Sequence, residues 1–172
     1  MKKQIFNIAI AQSNIEWTGR KVTGAHNGTI DFKSGFLTVT DDQLTGGIFV
    51  VDTSSIKILD IGDPTANEQF ANHLASDDFF GITEFPEASY QITSVKDNHV
   101  EGNLTIKGIT HPVNFDANVQ IDGDNLTATG KIVIDRTLYG IKFRSGNFFK
   151  DLGDKLIYND FDLNMNITAK VV

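Results

Sequence analysis

The groups in this 172-residue chain whose types and spacing could do chemistry are the four histidines, the pair Asp77-Asp78, the run Asp122-Gly123-Asp124 and the arginines Arg136 and Arg144. His26, His73, His99 and His111 are dispersed, with no H-E-x-x-H spacing and no pair one helical turn apart, so they do not read as a zinc site. Asp77-Asp78 could divide acid and base work between two carboxylates. Directly after Ser76, however, adjacent acids read as a helix start, where the macrodipole favours negative charge. Asp122-Gly123-Asp124 begins like a calcium loop but lacks the later ligands and the distal glutamate, which leaves a hairpin turn. Arg136 and Arg144 flank Tyr139-Gly140-Ile141, and a guanidinium suits bidentate binding of a phosphate or carboxylate head group. The plainer reading is an exposed ion pair with one of the 22 acids. Their even spacing would put both arginines on one face of a regular strand and Tyr139 and Phe143 on the other. No G-x-S-x-G elbow is present, and the absence of cysteine excludes disulfides, thiol catalysis and thiolate metal sites.

The elements that must position these groups are mostly strands. One domain over residues 1–172 fits the length. The net charge of -7 and pI near 4.9 argue against nucleic acid or an anionic membrane surface as main partner. No apolar run approaches the ~20 residues of a membrane-spanning helix. Lys2-Lys3 followed by IFNIAIA, with Ala9 and Ala11 in A-x-A order, looks superficially like a secretory leader. Asn7 and the alternation of Phe6, Ile8 and Ile10 predict a strand instead, and with it a cytoplasmic protein.

A second strand is expected over Ile15–Lys21 and a turn at Gly24–Gly28. Short strands punctuated at Ser34-Gly35 and Asp41-Asp42-Gln43 then follow up to Ile58. Periodicity becomes helical at Asp63, a good N-cap, with Pro64 at the first helical position. Phe70 and Leu74 share a face, and Ser76 reads as a second cap. Phe79, Phe80 and Phe85 precede Pro86 as the strand pattern resumes. Hairpins with one apolar face follow: Ala88, Tyr90 and Ile92; Leu104 and Ile106; a reversal at Gly108–Pro112; Val113 to Ile121; Leu126 to Ile134; and Phe161 to Ala169. Such faces are hidden either by stacking two sheets or by closing one into a barrel, and periodicity leaves both open.

The segments LASDDFFGITEFPEASYQI (Leu74 to Ile92), EGNLTIKGITHPVNFDANV (Glu101 to Val119) and DRTLYGIKF (Asp135 to Phe143) resemble the YceI-like family of lipid-binding barrels. WTGRKVTGAHNGTIDF and VDTSSIKI extend the likeness over essentially the whole chain. The resemblance implies an all-β fold, an extended eight-stranded antiparallel lipocalin-like barrel with one or two short helical segments at about 63–82. It also implies a non-enzymatic protein that carries or sequesters a polyisoprenoid, isoprenoid quinone or fatty-acid-like lipid in its lumen. His111 stands in GITHPV where the family pattern suggests lysine, which marks a surface turn. A small barrel enzyme acting on an apolar substrate is the alternative.

The lumen or lid contacts expected on this basis are Trp17, Phe32, Phe49, Phe79, Phe80, Phe85, Tyr90, Ile92, Leu104, Ile106, Phe115, Ile132, Ile134, Phe143, Phe161, Leu163 and Met165. Arg136 and Arg144 are the candidate head-group contacts. Ala117, Ala128 and Gly130 leave room at inward positions. No cofactor or metal is expected beyond the lipid, and a homodimer through edge strands is conceivable.

Overall fold

The apolar/polar alternation closes into one antiparallel barrel. The structure, a computed structural model, describes residues 2–146, 148–150 and 152–172. Its strands are β1 (Lys3–Ile8), β2 (Asn14–Lys21), β3 (Gly24–Thr40), β4 (Gln43–Ile58), β5 (Glu87–Lys96), β6 (His99–Ile106), β7 (Ile109–Asp122), β8 (Asn125–Asp135) and β9 (Ile157–Val171). β1 and β2 have the same two neighbours, β3 on one side and β9 on the other. They are therefore two halves of one stave, broken by a 3-10 turn at Ile10–Gln12. With that stave counted once, nine strands make an eight-stave barrel.

The first half of the chain forms fewer and longer strands than its punctuation suggests. β3 runs unbroken through Gly24–Gly28 and Ser34-Gly35, which are not turns; the reversal lies at Val22-Thr23. Gly28 and Gly35 serve close packing instead. A Cβ on Gly35 would stand 2.6 Å from Ile8 Cδ1, and one on Gly28 would lie 1.7 Å from the Lys57 carbonyl oxygen. Asp41-Asp42 does turn, with both residues at positive φ. In the second half the 108–112 reversal tightens to Lys107-Gly108, so His111 belongs to β7.

The seam between β7 and β8 is open at the end nearest α1 (Pro64–Ala75). The ladder between β7 and β8 covers only Ala117–Asp122 against Asn125–Gly130. The mouth half of β7 pairs with β6 alone, and Lys131–Asp135 of β8 pairs with β9 alone. Pro112, which cannot donate to a ladder, sits in that one-sided half of β7. The gap is plugged by Arg136–Ile141, a 3-10 turn ended by Gly140 at φ 76°. The segment expected to be a strand is thus a plug, and the parity assigned to its arginines does not apply. Tyr139 packs edge-on to His111 at 5.3 Å, and the His111 ring nitrogen meets the Leu138 carbonyl at 2.9 Å. Burial pushes the Tyr139 hydroxyl up to about 12, and that oxygen has no hydrogen-bond partner among the described residues. Two copies joining edge to edge would find no other one-sided ladder of this length among the described strands.

α1 spans Pro64–Ala75, capped at its start by Asp63, whose carboxylate accepts from the Ala66 N–H at 3.0 Å. Ser76 closes this helix and does not begin another: its hydroxyl donates to the His73 carbonyl at 2.6 Å. Asp77-Asp78 consequently lies in a turn. Asp78 faces His73 at 3.1 Å, while the Asp77 carbonyl accepts from Lys107 Nζ at 2.8 Å.

The barrel interior divides along its axis. At the end away from α1, Phe6, Val39, Val100, Leu126 and Ala169 are fully buried and fill the space. Ala117 and Ala128 belong to this packed half, and Gly130 is covered by the Phe115 ring, whose Cε2 would be 2.8 Å from a Cβ there. None of the three lines the hollow end, and Gly130 accommodates a neighbouring ring. The end under α1 is hollow.

Outside the hollow half, Asp162 on β9 is paired with Arg20 at 2.7 Å and Lys131 at 3.6 Å. The Arg20 hydrogen bond holds its carboxyl below the usual carboxylate range, against the opposing effect of burial, with Lys131 adding in the same sense. A depressed folded pKa contributes stability above the unfolded carboxylate value near ~3.9 and loses it as pH falls through the folded value. Urea midpoints followed from neutral pH down through the carboxylate range should fall less steeply for Asp162→Asn than for wild type. Equal slopes would show that the pair is not linked to folding.

Candidate functional site: a blind apolar chamber

The hollow half is a chamber of about 360 Å³, at the lower end of the ~300–1,000 Å³ typical of small-molecule pockets. Positions of one parity on β9 form one wall, Ile157, Phe161, Leu163 and Met165, while the intervening Asn159 accepts from the Ser145 hydroxyl and does not line it. Trp17 from β2, Leu104 and Ile106 from β6, and Ile132 and Ile134 from β8 complete much of the circumference. The helix side is closed by Phe70, His73 and Leu74, three residues on one stripe of α1, and by Phe79 and Phe80 from the turn that follows. Phe79 meets Phe143 at 5.7 Å, and Phe80 meets Phe161 at 6.3 Å.

The polar atoms along this wall are mostly engaged. The Trp17 indole N–H donates to the Thr29 carbonyl at 3.2 Å, and the Thr53 hydroxyl donates to the Phe85 carbonyl at 2.7 Å. The Tyr90 hydroxyl crosses β6 above Gly102 to donate to the Val113 carbonyl at 2.6 Å. Only glycine permits that path, since a Cβ on Gly102 would fall 2.4 Å from Tyr90 Cζ. Burial pushes the Tyr90 phenol pKa upward, so it stays a neutral donor.

Beneath the chamber, aromatic rings form a partition. Phe32 meets Phe49 edge-on at 5.7 Å, Phe49 stacks on Tyr90 at 5.3 Å, and Tyr90 meets Phe115 at 5.7 Å. Phe49 and Tyr90 face the chamber, whereas Phe32 and Phe115 do not line it. Ile92 likewise belongs to the packed half. Phe85 is also a correction: its ring approaches Gly81 and Gly108 outside the chamber, where it covers two turns. The other expected apolar contacts line the space.

The two arginines part company. Arg136 borders the chamber, but its guanidinium is buried and donates to the carbonyls of Tyr158 (3.0 Å), Ile141 (2.9 Å) and Ile157 (3.0 Å). It ties the seam plug to β9, with three of its five N–H groups committed to main chain. Arg144 is exposed at the mouth, stacked over Phe143 at 4.9 Å. Two histidines also line the mouth. His26 faces Asp60 at 2.9 Å and Phe70 at 4.9 Å; His73 lies between Phe79 at 4.9 Å and Phe143 at 4.6 Å. Burial pushes the Asp60 carboxyl up, but the His26 contact and the Asn27 N–H outweigh it and hold the carboxyl below its usual range. His73 was legible from its helix spacing, one turn from Phe70; His26 had no such signal, because its strand was read as a turn. Among the described residues, no group of three or more potential ligands is placed to hold a metal.

The family model for the YceI-like domain matches residues 6–169. Among curated proteins, a UPF0312 protein of Staphylococcus aureus (strain N315) is 46% identical over 88 residues, covering 46% of this chain and 50% of the relative. The chain thus spans about half the length of the curated relatives it matches. Among solved structures, Burkholderia cenocepacia BcnA superposes with a TM-score of 0.75 at 19% identity, covering 95% of this chain and 99% of that one. A polyisoprenoid binding domain from Saccharophagus degradans, implicated in plant cell wall breakdown, gives 0.70 at 12% identity over 99% and 100%. These likenesses share the barrel. With the family model spanning nearly all of the barrel's strands, the chain belongs to the YceI-like family.

Proposed function

We propose that the chain binds a long-chain apolar molecule, a polyisoprenoid, isoprenoid quinone or fatty-acid-like lipid, and carries or sequesters it without chemical change. The observation that carries this reading is the chamber itself, an apolar space in which the Trp17 indole and the Thr53 and Tyr90 hydroxyls are already hydrogen-bonded to main chain. The name of the Saccharophagus degradans relative supports it. Each methylene buried there contributes roughly 0.8 kcal/mol, against an association cost on the order of 4–15 kcal/mol. A long chain can therefore bind and a very short one cannot. The cytoplasmic setting is part of the proposal.

Organic extraction of protein purified from its native host, followed by mass spectrometry, should yield a stoichiometric apolar compound. Leu163→Trp, which fills the chamber between the register partners Trp17 and Ile132, should lower affinity for a long-chain lipid at least ~10-fold with the circular dichroism unchanged. Undiminished binding by a folded variant would remove the chamber from the proposal. The alternative, a small barrel enzyme, draws on the His73–Asp78 pair at the mouth. It requires the bound compound to be converted to product, with His73→Ala abolishing conversion while leaving binding intact.

A further inference from the structure

We propose that the aromatic partition makes the chamber a ruler that selects chains with a backbone of about sixteen carbons, and this rests on the carrier reading above. The argument is geometric. The chamber's lining begins at Met165 on β9, level with the partition, and ends near Ile157 at the mouth. Eight residue steps at ~3.3 Å along a strand tilted ~40° to the barrel axis give a depth of ~20 Å. An all-trans chain built from ~1.5 Å carbon–carbon bonds advances about 1.3 Å per carbon, so about sixteen carbons span that depth. Below them the rings of Phe49 and Tyr90 block the axis, backed by Phe32 and Phe115. Neither β1 nor β7 contributes to the lining, because their inward side chains lie in the packed half or at the seam. The volume of about 360 Å³ suits one such chain and no bundle. Longer lipids have nowhere apolar to place the excess except outside the mouth. The class selected is therefore a fatty acyl chain or a prenyl chain of about four isoprene units.

The test is a length series on the delipidated protein: saturated fatty acids from about 10 to about 24 carbons, and prenyl alcohols of matched backbone, competed against a fluorescent fatty-acid probe. Affinity should rise about fourfold per added methylene and then level off near sixteen. The better-bound of the two series identifies which chain type the walls prefer. Phe49→Ala opens the partition and should move the levelling point to longer chains; Phe49→Leu is the milder form should the alanine variant not fold. Affinity in wild type that keeps climbing past about twenty carbons overturns the ruler and leaves the carrier reading standing. So does an unmoved break in a folded Phe49 variant. Failure of every chain to bind overturns both.

Discussion

Replacing Arg136 with methionine should lower the unfolding free energy by about 4 kcal/mol, a large share of the ~5–15 kcal/mol that a domain of this kind possesses. Methionine has comparable length and keeps much of the packing, so the loss isolates the guanidinium. Three carbonyls, from Ile141, Ile157 and Tyr158, lose their donors at once. Each unsatisfied buried acceptor costs about 1–3 kcal/mol, less whatever water recovers on local relaxation. Burial pulls the Arg136 pKa down and Asp135 partly restores it, yet a guanidinium keeps its charge in either case. The charge is thus held chiefly by main-chain dipoles. Arg136→Lys retains the charge but not the planar fork, and should recover less than half of the loss. Urea denaturation of the three proteins provides the measurement. A methionine variant within about 1 kcal/mol of wild type would show that the clamp contributes little to stability.

Gly102→Ala should destabilise the fold by about 3 kcal/mol and weaken lipid binding with it. The new methyl would meet Tyr90 Cζ at 2.4 Å and the Gln91 carbonyl oxygen at 2.6 Å, so displacing the ring does not relieve the clash with backbone. Tyr90 would also lose its path to the Val113 carbonyl. Because the same ring stacks on Phe49 and meets Phe115, a change on β6 reaches the chamber floor through Tyr90. The double variant Gly102→Ala/Tyr90→Phe separates the two contributions. Phenylalanine has no hydroxyl to lose, so the alanine should cost measurably less in that background. An equal cost in both backgrounds would place the whole effect in the backbone clash.

Strand alternation was legible in the sequence wherever each strand had one wet face, as from Val113 to Ile134 and from Phe161 to Ala169. Asp63-Pro64 located the helix start for a local reason that the structure repeats. Glycine was misread where it permits close approach and not a turn: Gly28 and Gly35 lie inside one long strand because side chains from elsewhere occupy the space of their missing Cβ atoms. That information is tertiary, and no local window contains it. The site was legible to the level of inward parity, the parity on which Leu163 and Met165 line the chamber. Parity does not distinguish a residue in a hollow half from one in a filled half. Phe32, Ile92 and Phe115 point inward as expected, but Phe32 and Phe115 belong to the partition itself and Ile92 to the packed half, so none of them lines the chamber. Arg136 was misassigned because its segment keeps strand-like spacing while it turns.

The seam between β7 and β8 gives the barrel an uneven time axis. Between β3 and β4 or between β8 and β9, opening the wall means breaking a long backbone ladder, which approaches unfolding of the whole domain. At the seam, the plug from Arg136 to Ile141 is held by the Arg136 guanidinium on the Ile157 and Tyr158 carbonyls, the His111–Leu138 contact and the packing of Tyr139. That segment can detach while every ladder stays intact, at a free energy well below the global one. Because Ile141 forms part of the chamber wall, such openings join the apolar interior to solvent sideways. The rate at which a chain held as proposed would escape is then set by how long Arg136 keeps hold of the Ile157 and Tyr158 carbonyls.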